Sequence, residues 1–515
     1  MTCVEPFPWE EQSLDHSGCM KFLGVLVETC YEGLVNASYL IRMVKSVSIR
    51  YVQGHTFEID LTFRNRSNFI LLDSIKKIVM AFAMSDRSVT GTSTPHPASA
   101  AEQLGDLLTI NRDALTTLAV EVRRKQNIDT FTTASVLSCH KGSRNVIHVV
   151  EFDDQMRYII RLPISCRPGH CTETAKRALV AKVEMMRFIQ KRAHIPMPEV
   201  YDFDASPENV LGTSYIVEGF IPGTLVSDAW FDNSGTMTLD QKRLRILDCV
   251  AETMAKLHRF CFDGIGTLGP DAHGDLRVLP CYYSRKGVGT DVQYAEYGPY
   301  ESTVDFLRER LLISPGGTEE EGPFDVGCLI MLEMMIGCMP LSTSQKDEAD
   351  ETFVLAVPQF DSVNIRIDEQ CNVSGIIDWD GVQTMPRFLG YATFPKWIMR
   401  DMDPVERGWS LESQEDSAEQ LRWYRLLYNR KMQGLLNGVG DARFVNKTHI
   451  FASILLAIDN PAARKEIVRT LVGKVYPANL EKATRLIEDA GNGELLRQDR
   501  ERLLGGFELL FSISR

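Results

Sequence analysis

The spacing of apolar and polar residues changes several times along the chain, and each change predicts a different structural element. From Val47 to Phe63, apolar residues alternate with polar ones on either side of a Gln53-Gly54-His55 turn, which predicts a β-hairpin. The segments Gly24 to Met43 and Leu71 to Met84 have helical spacing instead. We therefore expect residues 1–85 to form an N-terminal extension with a β-hairpin, in which no residues point to a reaction.

A linker is predicted after this extension. Residues 86–104 are rich in Ser, Thr, Pro and Ala and have no apolar periodicity, which is typical of a connecting segment. A helix then begins with Asn111 or Asp113 as its cap, and basic residues lie near its end, where they interact favourably with the helix dipole.

The next part of the chain combines strands with one long helix. The alternating residues from Asn145 to Pro163 predict two strands joined at an Asp153-Asp154 turn. A helix from Thr172 to Lys191 follows, and two further strand patterns come after it. The order strand, strand, helix, strand, strand is not the regular alternation of a doubly wound sheet, so we expect a small antiparallel lobe over residues 105–222.

Helical spacing dominates the chain from about residue 238 to residue 515, within a lobe that we expect over residues 223–515. Residues 244–257, for example, predict one amphipathic helix. The exception is the segment 353–382, in which Asn364 to Ile367 and Val373 to Ile377 predict two short strands around a turn. We therefore expect a large helical lobe that contains one small hairpin.

Composition and charge exclude several classes of protein. With 44% apolar and 24% charged residues, the chain has the composition of a globular protein. Its formal net charge of -13 repels phosphate backbones and anionic lipids, so we expect neither nucleic acid nor a membrane surface as a partner. The apolar run Val326 to Leu341 is interrupted by Glu333 and is shorter than the ~20 residues of a membrane span, so it predicts a buried core helix.

The cysteines and the first residues bear on the compartment. The 12 cysteines include no CxxC pair and no Cys/His cluster at metal-ligand spacing, which fits reduced thiols. The first residues carry Pro and several acids where a signal peptide would carry a basic and then an apolar region. These two features predict a cytoplasmic protein.

The reaction for which the sequence offers candidate residues is phosphoryl transfer. It needs a loop over the phosphates, a cation on the nucleotide, oxygen ligands for magnesium, and a group that accepts the hydroxyl proton. The chain offers a Gly-containing loop, a strand cation with an acid on the following helix, and an amide and a carboxylate around a hairpin. These candidates are Gly142 with Ser143, Arg161 with Glu184, and Asn364 with Asp378.

The segment 357–364 reads VPQFDSVN, and the hairpin after it ends in the motif IIDWD at 376–380. With these residues the chain resembles the fungal branch of the aminoglycoside phosphotransferase family over residues 105–515. The resemblance implies an α+β, two-lobed protein-kinase-like fold with a small antiparallel β N-lobe and a large helical C-lobe. It also implies ATP and Mg²⁺ as cofactors and a small-molecule hydroxyl group as the phosphate acceptor.

The resemblance implies roles for individual residues. Arg161 and Glu184 would hold the nucleotide phosphates, Glu218 to Phe220 would contact the base through backbone groups, and Asn364 and Asp378 would be magnesium ligands. The alternative is an ordinary ion pair for the first two residues and turn or cap roles for the last two. Likewise, the loop at Gly142 could be only a tight turn.

Two positions depart from the family pattern H-P-D-F-x-x-x-N. Val357 stands where the family has His, and Gln359 stands where it has the catalytic Asp. An amide cannot accept a proton at neutral pH, so general-base catalysis worth about 10²–10⁴ in rate would be lost. Asp361, two residues further on, is a weak substitute. The chain is therefore either an impaired ATP-dependent phosphotransferase or a pseudokinase, a nucleotide-binding or scaffolding protein without catalysis.

Other polar groups have simpler interpretations. The sequence His273-Gly274-Asp275-Leu276 spells another form of the catalytic loop, but Pro280 stands where a magnesium-binding Asn is needed, so we interpret it as a surface turn. His258 is interpreted as a histidine satisfied within the fold, and the acidic run Glu412 to Glu419 as a solvated face or loop. Residues 1–85 are a candidate surface for a protein partner.

Overall fold

The computed structural model describes most of the chain after residue 106 and two strands before it. The described residues are 44–52, 56–63, 107–128, 131, 133–270, 276–286, 292–314, 322–345, 350–357, 359–405, 415–476 and 480–513. The chain divides into two compact units, residues 1–96 with 310–322 and residues 97–309 with 323–515. The helices predicted at Gly24 to Met43 and Leu71 to Met84, and the linker predicted at 86–104, lie outside the described residues.

The first unit contains the predicted hairpin. Strands β1 (Val44–Val52) and β2 (Thr56–Phe63) pair antiparallel, with Val52 opposite Thr56 and Ile49 opposite Ile59. The prediction of two alternating strands here is confirmed, and the three turn residues between them lie outside the described residues.

The second unit begins with a lobe built on a five-stranded antiparallel sheet in the order β3-β4-β5-β7-β6. Its elements are α1 (Arg112–Lys125), β3 (Ala134–Lys141), β4 (Asn145–Phe152), β5 (Arg157–Pro163), α2 (Glu173–Ala193), β6 (Val200–Asp204) and β7 (Tyr215–Gly219). The predicted strand pairs on both sides of α2 are confirmed. Strand β3 was missed because it is a largely exposed edge strand whose Leu137 faces solvent, so it has no strong apolar alternation.

Both helices of this lobe begin at capping side chains. The Asn111 carboxamide oxygen accepts a hydrogen bond from the backbone N of Asp113 at 2.8 Å, and the Thr172 hydroxyl accepts one from Ala175 N at 3.1 Å. Helix α2 ends at His194, whose φ of 52° lies in the left-handed region that terminates helices. The predicted starts of both helices are therefore confirmed.

The helical lobe follows. Its helices are α3 (Val226–Ala229), α4 (Leu239–Ala255), α5 (Thr303–Ile313), α6 (Pro323–Gly337), α7 (Ala418–Leu435), α8 (Thr448–Asp459), α9 (Pro461–Val475), α10 (Leu480–Asn492) and α11 (Arg497–Phe511). The second unit thus has the expected α+β architecture of a small antiparallel sheet lobe and a large helical lobe. Over the part of the chain that the structure describes, every helix is too short or too polar to cross a membrane.

Helix α6 is the core helix that the apolar run predicted. It packs so closely against α10 that a Cβ atom on Gly327 would lie 1.8 Å from the carbonyl oxygen of Ile487. A Cβ atom on Gly491 would likewise lie 1.7 Å from the carbonyl oxygen of Pro323. Glycine at these two positions allows the backbones of the two helices to touch.

The expectation that residues 238–515 are helical apart from 353–382 is wrong between 267 and 297. Strands β9 (Thr267–Pro270) and β10 (Leu276–Leu279) pair antiparallel, as do β11 (Cys281–Lys286) and β12 (Val292–Tyr297). Each of these strands has only four to six residues, and β9 contains Gly269 and Pro270, so their alternation is weak in the sequence. The second hairpin is tied to α2, because Arg177 Nε lies 2.7 Å from Glu296 Oε1. The motif residues 273–275 lie outside the described residues.

The predicted strands of the 353–382 segment are confirmed. They are β14 (Ile365–Ile367) and β15 (Val373–Ile376), and the short strand β8 (Thr224–Leu225) pairs with β14. A second pair, β13 (Phe353–Ala356) with β16 (Gln383–Pro386), brackets this hairpin.

The interpretation of the acidic run Glu412 to Glu419 as solvated is wrong for Asp416. Its carboxylate is buried, lies 3.2 Å from Arg243 Nη1 and accepts a hydrogen bond from Trp230 Nε1 at 2.7 Å. Asp416 is therefore a core residue of the helical lobe.

Candidate active site

The loop after β13 is held in shape by Gln359 and Asn364. The Gln359 backbone oxygen accepts hydrogen bonds from Asp361 N at 2.8 Å and from the Asn364 side-chain amide at 2.9 Å. The amide nitrogen of Asn364 thus braces the loop, and its carboxamide oxygen stays available to a ligand. Pro358 lies outside the described residues.

Asp361 has a structural role in this loop. One of its oxygens accepts a hydrogen bond from Ser362 N at 2.6 Å and caps the short 3-10 turn Ser362–Asn364. The other oxygen lies 3.9 Å from Arg400 Nη2. Both carboxylate oxygens therefore have partners within the loop and its neighbours, which weakens Asp361 as a substitute for the base missing at Gln359.

The β14–β15 hairpin brings Asn364 and Asp378 together. Its ladder pairs Ile365 with Ile376, and one residue beyond it the backbone N of Ile377 donates to the Asn364 carbonyl oxygen at 2.9 Å. Burial, and next the negative charge of Asp380, raise the pKa of Asp378. No cationic side chain of the described residues lies within ion-pair distance of Asp378. Asn364 and Asp378 thus stand at the same end of the hairpin, where they offer an amide oxygen and a carboxylate, and Asp378 Oδ1 accepts a hydrogen bond from Asp380 N at 3.0 Å.

Asp380, the last acid of the IIDWD motif, is held by two elements of the sheet lobe. Lys182 Nζ on α2 forms an ion pair with Asp380 Oδ1, and Asn145 Nδ2 at the start of β4 donates to Oδ2 at 2.7 Å. The side chains of Lys182 and Asp380 are each only 11% exposed. Burial alone would raise the pKa of Asp380, but the charges of Lys182 and Arg161 outweigh it and hold that pKa well below its usual range.

Arg161 on β5 joins the sheet to the same motif. Its Nη2 atom lies 3.2 Å from Glu218 Oε2 and donates to the Ile377 carbonyl oxygen, also at 3.2 Å. Glu218 is 1% exposed, and its second oxygen has no hydrogen-bond partner among the described residues. Register explains the pairing, because Glu218 lies opposite Ile159, on the same face as Arg161.

The predicted pairing of Arg161 with Glu184 is wrong. Glu184 is one-third exposed and lies 3.3 Å from Arg187 on the outer face of α2. Two residues along a helix correspond to about 200° of rotation, so the α2 side chain that reaches the site is Lys182. Sequence reasoning missed Lys182, Asn145 and the role of Asp380. The signal for Lys182 was available, since it lies three residues after buried Leu179, on the apolar face of the helix.

The turn at Gly142 and Ser143 lies directly before the Asn145 contact. Gly142 N donates to the Asn145 carbonyl oxygen at 2.8 Å, and a Cβ atom on Gly142 would lie 3.1 Å from that oxygen. The predicted loop is therefore a tight turn, and it is connected to the IIDWD motif through Asn145. His258 is satisfied as expected, with Nδ1 2.8 Å from the Ala255 carbonyl oxygen.

In the predicted hinge, two backbone N–H groups donate hydrogen bonds within the sheet. Gly219 N donates to the Glu199 carbonyl oxygen at 2.9 Å and Phe220 N to that of Arg157 at 3.3 Å, so both donors serve the sheet. The Phe220 ring lies 5.5 Å from the Arg157 guanidinium. Within Glu218 to Phe220, the Glu218 side chain pairs with Arg161, and contact of the backbone with a base stays a prediction.

Comparison with known proteins gives distant relatives. No family model matches the chain. "Altered inheritance of mitochondria protein 9, mitochondrial" from Eremothecium gossypii is 20% identical over 382 residues, 63% of this chain and 60% of that protein. The protein of the same name from Zygosaccharomyces rouxii is 25% identical over 134 residues, 25% of this chain and 21% of that protein. A subtelomeric hrmA-associated cluster protein from Aspergillus fumigatus is 26% identical over 129 residues, 25% of this chain and 23% of that protein. The chain thus matches between one-fifth and three-fifths of the length of these relatives.

Several solved structures are similar to the chain. A putative aminoglycoside phosphotransferase from Ralstonia eutropha matches with a TM-score of 0.38 and 15% identity. The match covers 76% of this chain and 98% of the phosphotransferase chain. Macrolide 2'-phosphotransferase MphH from Brachybacterium faecium matches with a TM-score of 0.35 and 12% identity. The match covers 74% of this chain and 97% of the MphH chain. The amicoumacin kinase hAmiN matches with a TM-score of 0.36 and 10% identity. The match covers 72% of this chain and 93% of the hAmiN chain. All three are described as phosphotransferases or kinases.

Proposed function

We propose that the chain binds ATP with magnesium at the segment 359–380 and transfers the terminal phosphate, at an impaired rate, to a hydroxyl group of a small molecule. The observation that carries this proposal is the convergence of three side chains from the sheet lobe on the 377–380 turn. They are Asn145, Arg161 and Lys182, which contact Asp380 and the carbonyl oxygen of Ile377. The sheet lobe and the helical lobe thus meet at two available oxygen donors.

Asn364 and Asp378 fit a magnesium ion. Magnesium binds hard oxygen ligands and in phosphotransfer sites takes one or two protein ligands together with phosphate oxygens. Asp378 has a carboxylate whose pKa is raised by burial and by Asp380, so a bound cation would stabilise its charged form. When bound, the metal would neutralise charge on the phosphates.

The chain's own residues would act mainly by positioning. Arg161 fixes the carbonyl group of Ile377 and thereby the turn that presents Asp378. Asn364 fixes the loop that presents Gln359. The Gln359 amide can donate a hydrogen bond to an acceptor hydroxyl, but it cannot take the proton, so that proton would pass to water or to the phosphate. The loss is about 10²–10⁴ in rate, and the contribution from positioning remains.

The second candidate is a pseudokinase. Gln359 removes the base, and the hydrogen bonds that Asp361 accepts from Ser362 weaken Asp361 as a replacement. In this case the same residues would bind nucleotide without turnover, and the chain would act as a nucleotide-binding or scaffolding protein.

Calorimetric titration with ATP, with and without magnesium, tests the proposal. Asp378→Ala should abolish the magnesium-dependent part of ATP binding because it removes the only metal-ligand carboxylate proposed here. Glu369→Ala is the matched control, since Glu369 is an exposed acid in the turn of the same hairpin. Equal magnesium dependence in wild type and Asp378→Ala would contradict the proposed site, and no ATP binding by wild type would contradict the function.

The remaining expectations about partners and compartment are also proposals. A small-molecule acceptor, rather than nucleic acid or a membrane, fits the acidic net charge of -13. The cysteines of the described residues are free, which fits a reducing compartment such as the cytoplasm. Residues 1–85 are the proposed surface for any protein partner. Cell fractionation with a tagged full-length chain tests the compartment.

A further inference from the structure

We infer that Lys182, and not Arg161, is the side chain that neutralises the nucleotide phosphates. This inference rests on the proposed function, because it assigns a role within the same site. It reverses the expected division of roles, in which a strand cation binds phosphate and an acid on the following helix holds that cation. Here the helix supplies the cation, and the acid that holds the strand cation comes from β7.

The positive charge of Arg161 is already balanced by a carboxylate of the protein. Its guanidinium is 9% exposed and pairs with the Glu218 carboxylate, which is itself almost fully buried. Its Nη2 atom also donates to the Ile377 carbonyl oxygen. An arginine with a buried carboxylate and a backbone carbonyl as partners joins the strand to the motif, and its charge is largely cancelled before a ligand arrives. Arg161 is therefore a positioning residue.

Lys182 differs from Arg161 in the number of hydrogen-bond donors that it can offer to a ligand. An ammonium group has three N–H donors, and among the described residues only the Asp380 carboxylate accepts from Lys182. Two donors remain for a ligand. Asp380 in turn receives a second hydrogen bond from Asn145, which helps to fix it and hence the position of Lys182 Nζ. The ammonium ion is thus held by an anchored acid at the junction of α2, the Gly142 turn and the IIDWD motif.

The local charges support this assignment. Asp378, Asp380 and Glu218 are three acids around two cations, Arg161 and Lys182. A triphosphate adds further negative charge, so it needs a cation that can donate to phosphate oxygens as well as a metal on Asp378. Lysine binds phosphate as a point charge with rotatable donors, which suits a group that must keep its bond to Asp380 while it contacts a ligand.

The test compares how strongly each variant binds adenosine, AMP, ADP and Mg-ATP by calorimetry. For Lys182→Gln, we expect the dissociation constant to be unchanged for adenosine and to rise increasingly with each phosphate, by tenfold or more for Mg-ATP. The matched control is Lys176→Gln, a partly exposed lysine on α2 that pairs with the exposed Glu173. It should leave all four constants unchanged. If Lys182 had only a structural role, Lys182→Gln would raise the dissociation constants of all four ligands by the same factor.

A second pair of variants keeps the inference falsifiable if Lys182→Gln leaves Asp380 uncompensated and does not fold. The double variant Lys182→Gln, Asp380→Asn removes both charges and should show the same phosphate-dependent loss. The double variant Arg161→Met, Glu218→Met removes the other buried pair and the hydrogen bond to the Ile377 carbonyl oxygen. It should weaken the magnesium-dependent part of binding, but without magnesium it should keep the wild-type increase in affinity from adenosine to AMP and ADP, because Lys182 is still present. Full Mg-ATP affinity without Lys182, or loss of phosphate discrimination without Arg161, would overturn the inference. If wild type binds none of the four ligands, the proposed function fails instead.

Discussion

Lys182 and Asp380 form a buried ion pair across 198 residues of sequence, between the long helix of the sheet lobe and the IIDWD motif of the helical lobe. Breaking this pair from one side leaves a charge without its partner in a site that water reaches poorly. Its contribution to folding can therefore be separated from any role in ligand binding.

We expect Asp380→Ala to lower the free energy of unfolding by about 3–5 kcal/mol, because it leaves Lys182 buried without its acid. Urea denaturation monitored by circular dichroism measures the change. Glu173→Ala is the control, since Glu173 is exposed and its ion pair with Lys176 is screened by water, so its loss should change the stability little. If Asp380→Ala lowers the free energy of unfolding as little as the control does, the Lys182 ion pair contributes little to stability in solution.

Restoring a carboxylate at position 359 should raise turnover. We expect Gln359→Asp to increase phosphoryl transfer by up to about 10²–10⁴ once an acceptor is supplied, because it returns a general base to the loop. ADP release measures the rate, and Gln359→Asn controls for the shorter side chain. A variant that binds Mg-ATP as wild type does but gains no activity would favour the pseudokinase alternative.

The contact between α6 and α10 predicts a contrast between two glycines of one helix. Gly327→Ala should destabilise the protein by at least about 1–3 kcal/mol, because a Cβ atom there would lie 1.8 Å from the Ile487 carbonyl oxygen. At Gly337, the last residue of α6, no atom lies within 4 Å of a built Cβ. Gly337→Ala should therefore be neutral or stabilising by up to about 1 kcal/mol. Thermal unfolding of the two variants checks the difference, and similar melting temperatures would contradict the close packing.

His449 predicts a dependence of stability on pH. Burial, followed by the positive charges of Arg425 and Lys474, lowers the pKa of His449 to about 4. The folded protein keeps this imidazole neutral at pH values where the unfolded chain, with a pKa near 6.5, binds a proton. Stability should therefore fall as pH falls from about 6.5 to 4, by at most about 1.4 kcal/mol per pH unit. His449→Gln should show a shallower slope in urea denaturation across this range, and an unchanged slope would contradict the assignment.

The sequence predicted the sheet lobe and the hairpin around residues 364–377 well where alternation was strong. The strands from Asn145 to Pro163 and the pair around 364–377 were found because each has a clear apolar period and a turn between its strands. Strand β3 was missed because an edge strand buries little. Strands β9 to β12 were missed because short strands with Gly, Pro and polar residues have no strong period.

The candidate site was predicted less completely, for a geometric reason. The motif spacing located Asn364 and Asp378, which are separated by a single hairpin. The partner of Arg161 depends on the register between β5 and β7 and on which face of α2 points inward, and neither follows from the order of residues. Glu184 was chosen by residue type, although it shares an exposed stripe with Val180 and Arg187. The apolar period of α2 was the better guide to Lys182.

Hydrogen exchange of the full-length protein with and without magnesium and a non-hydrolysable ATP analogue tests the central claim most directly. We expect slower exchange in the segments 359–364 and 376–381 and in the turn 142–145, and unchanged exchange in α11. Protection that is absent from these three segments, or confined to another part of the chain, would contradict a kinase-like nucleotide site at Asn364 and Asp378.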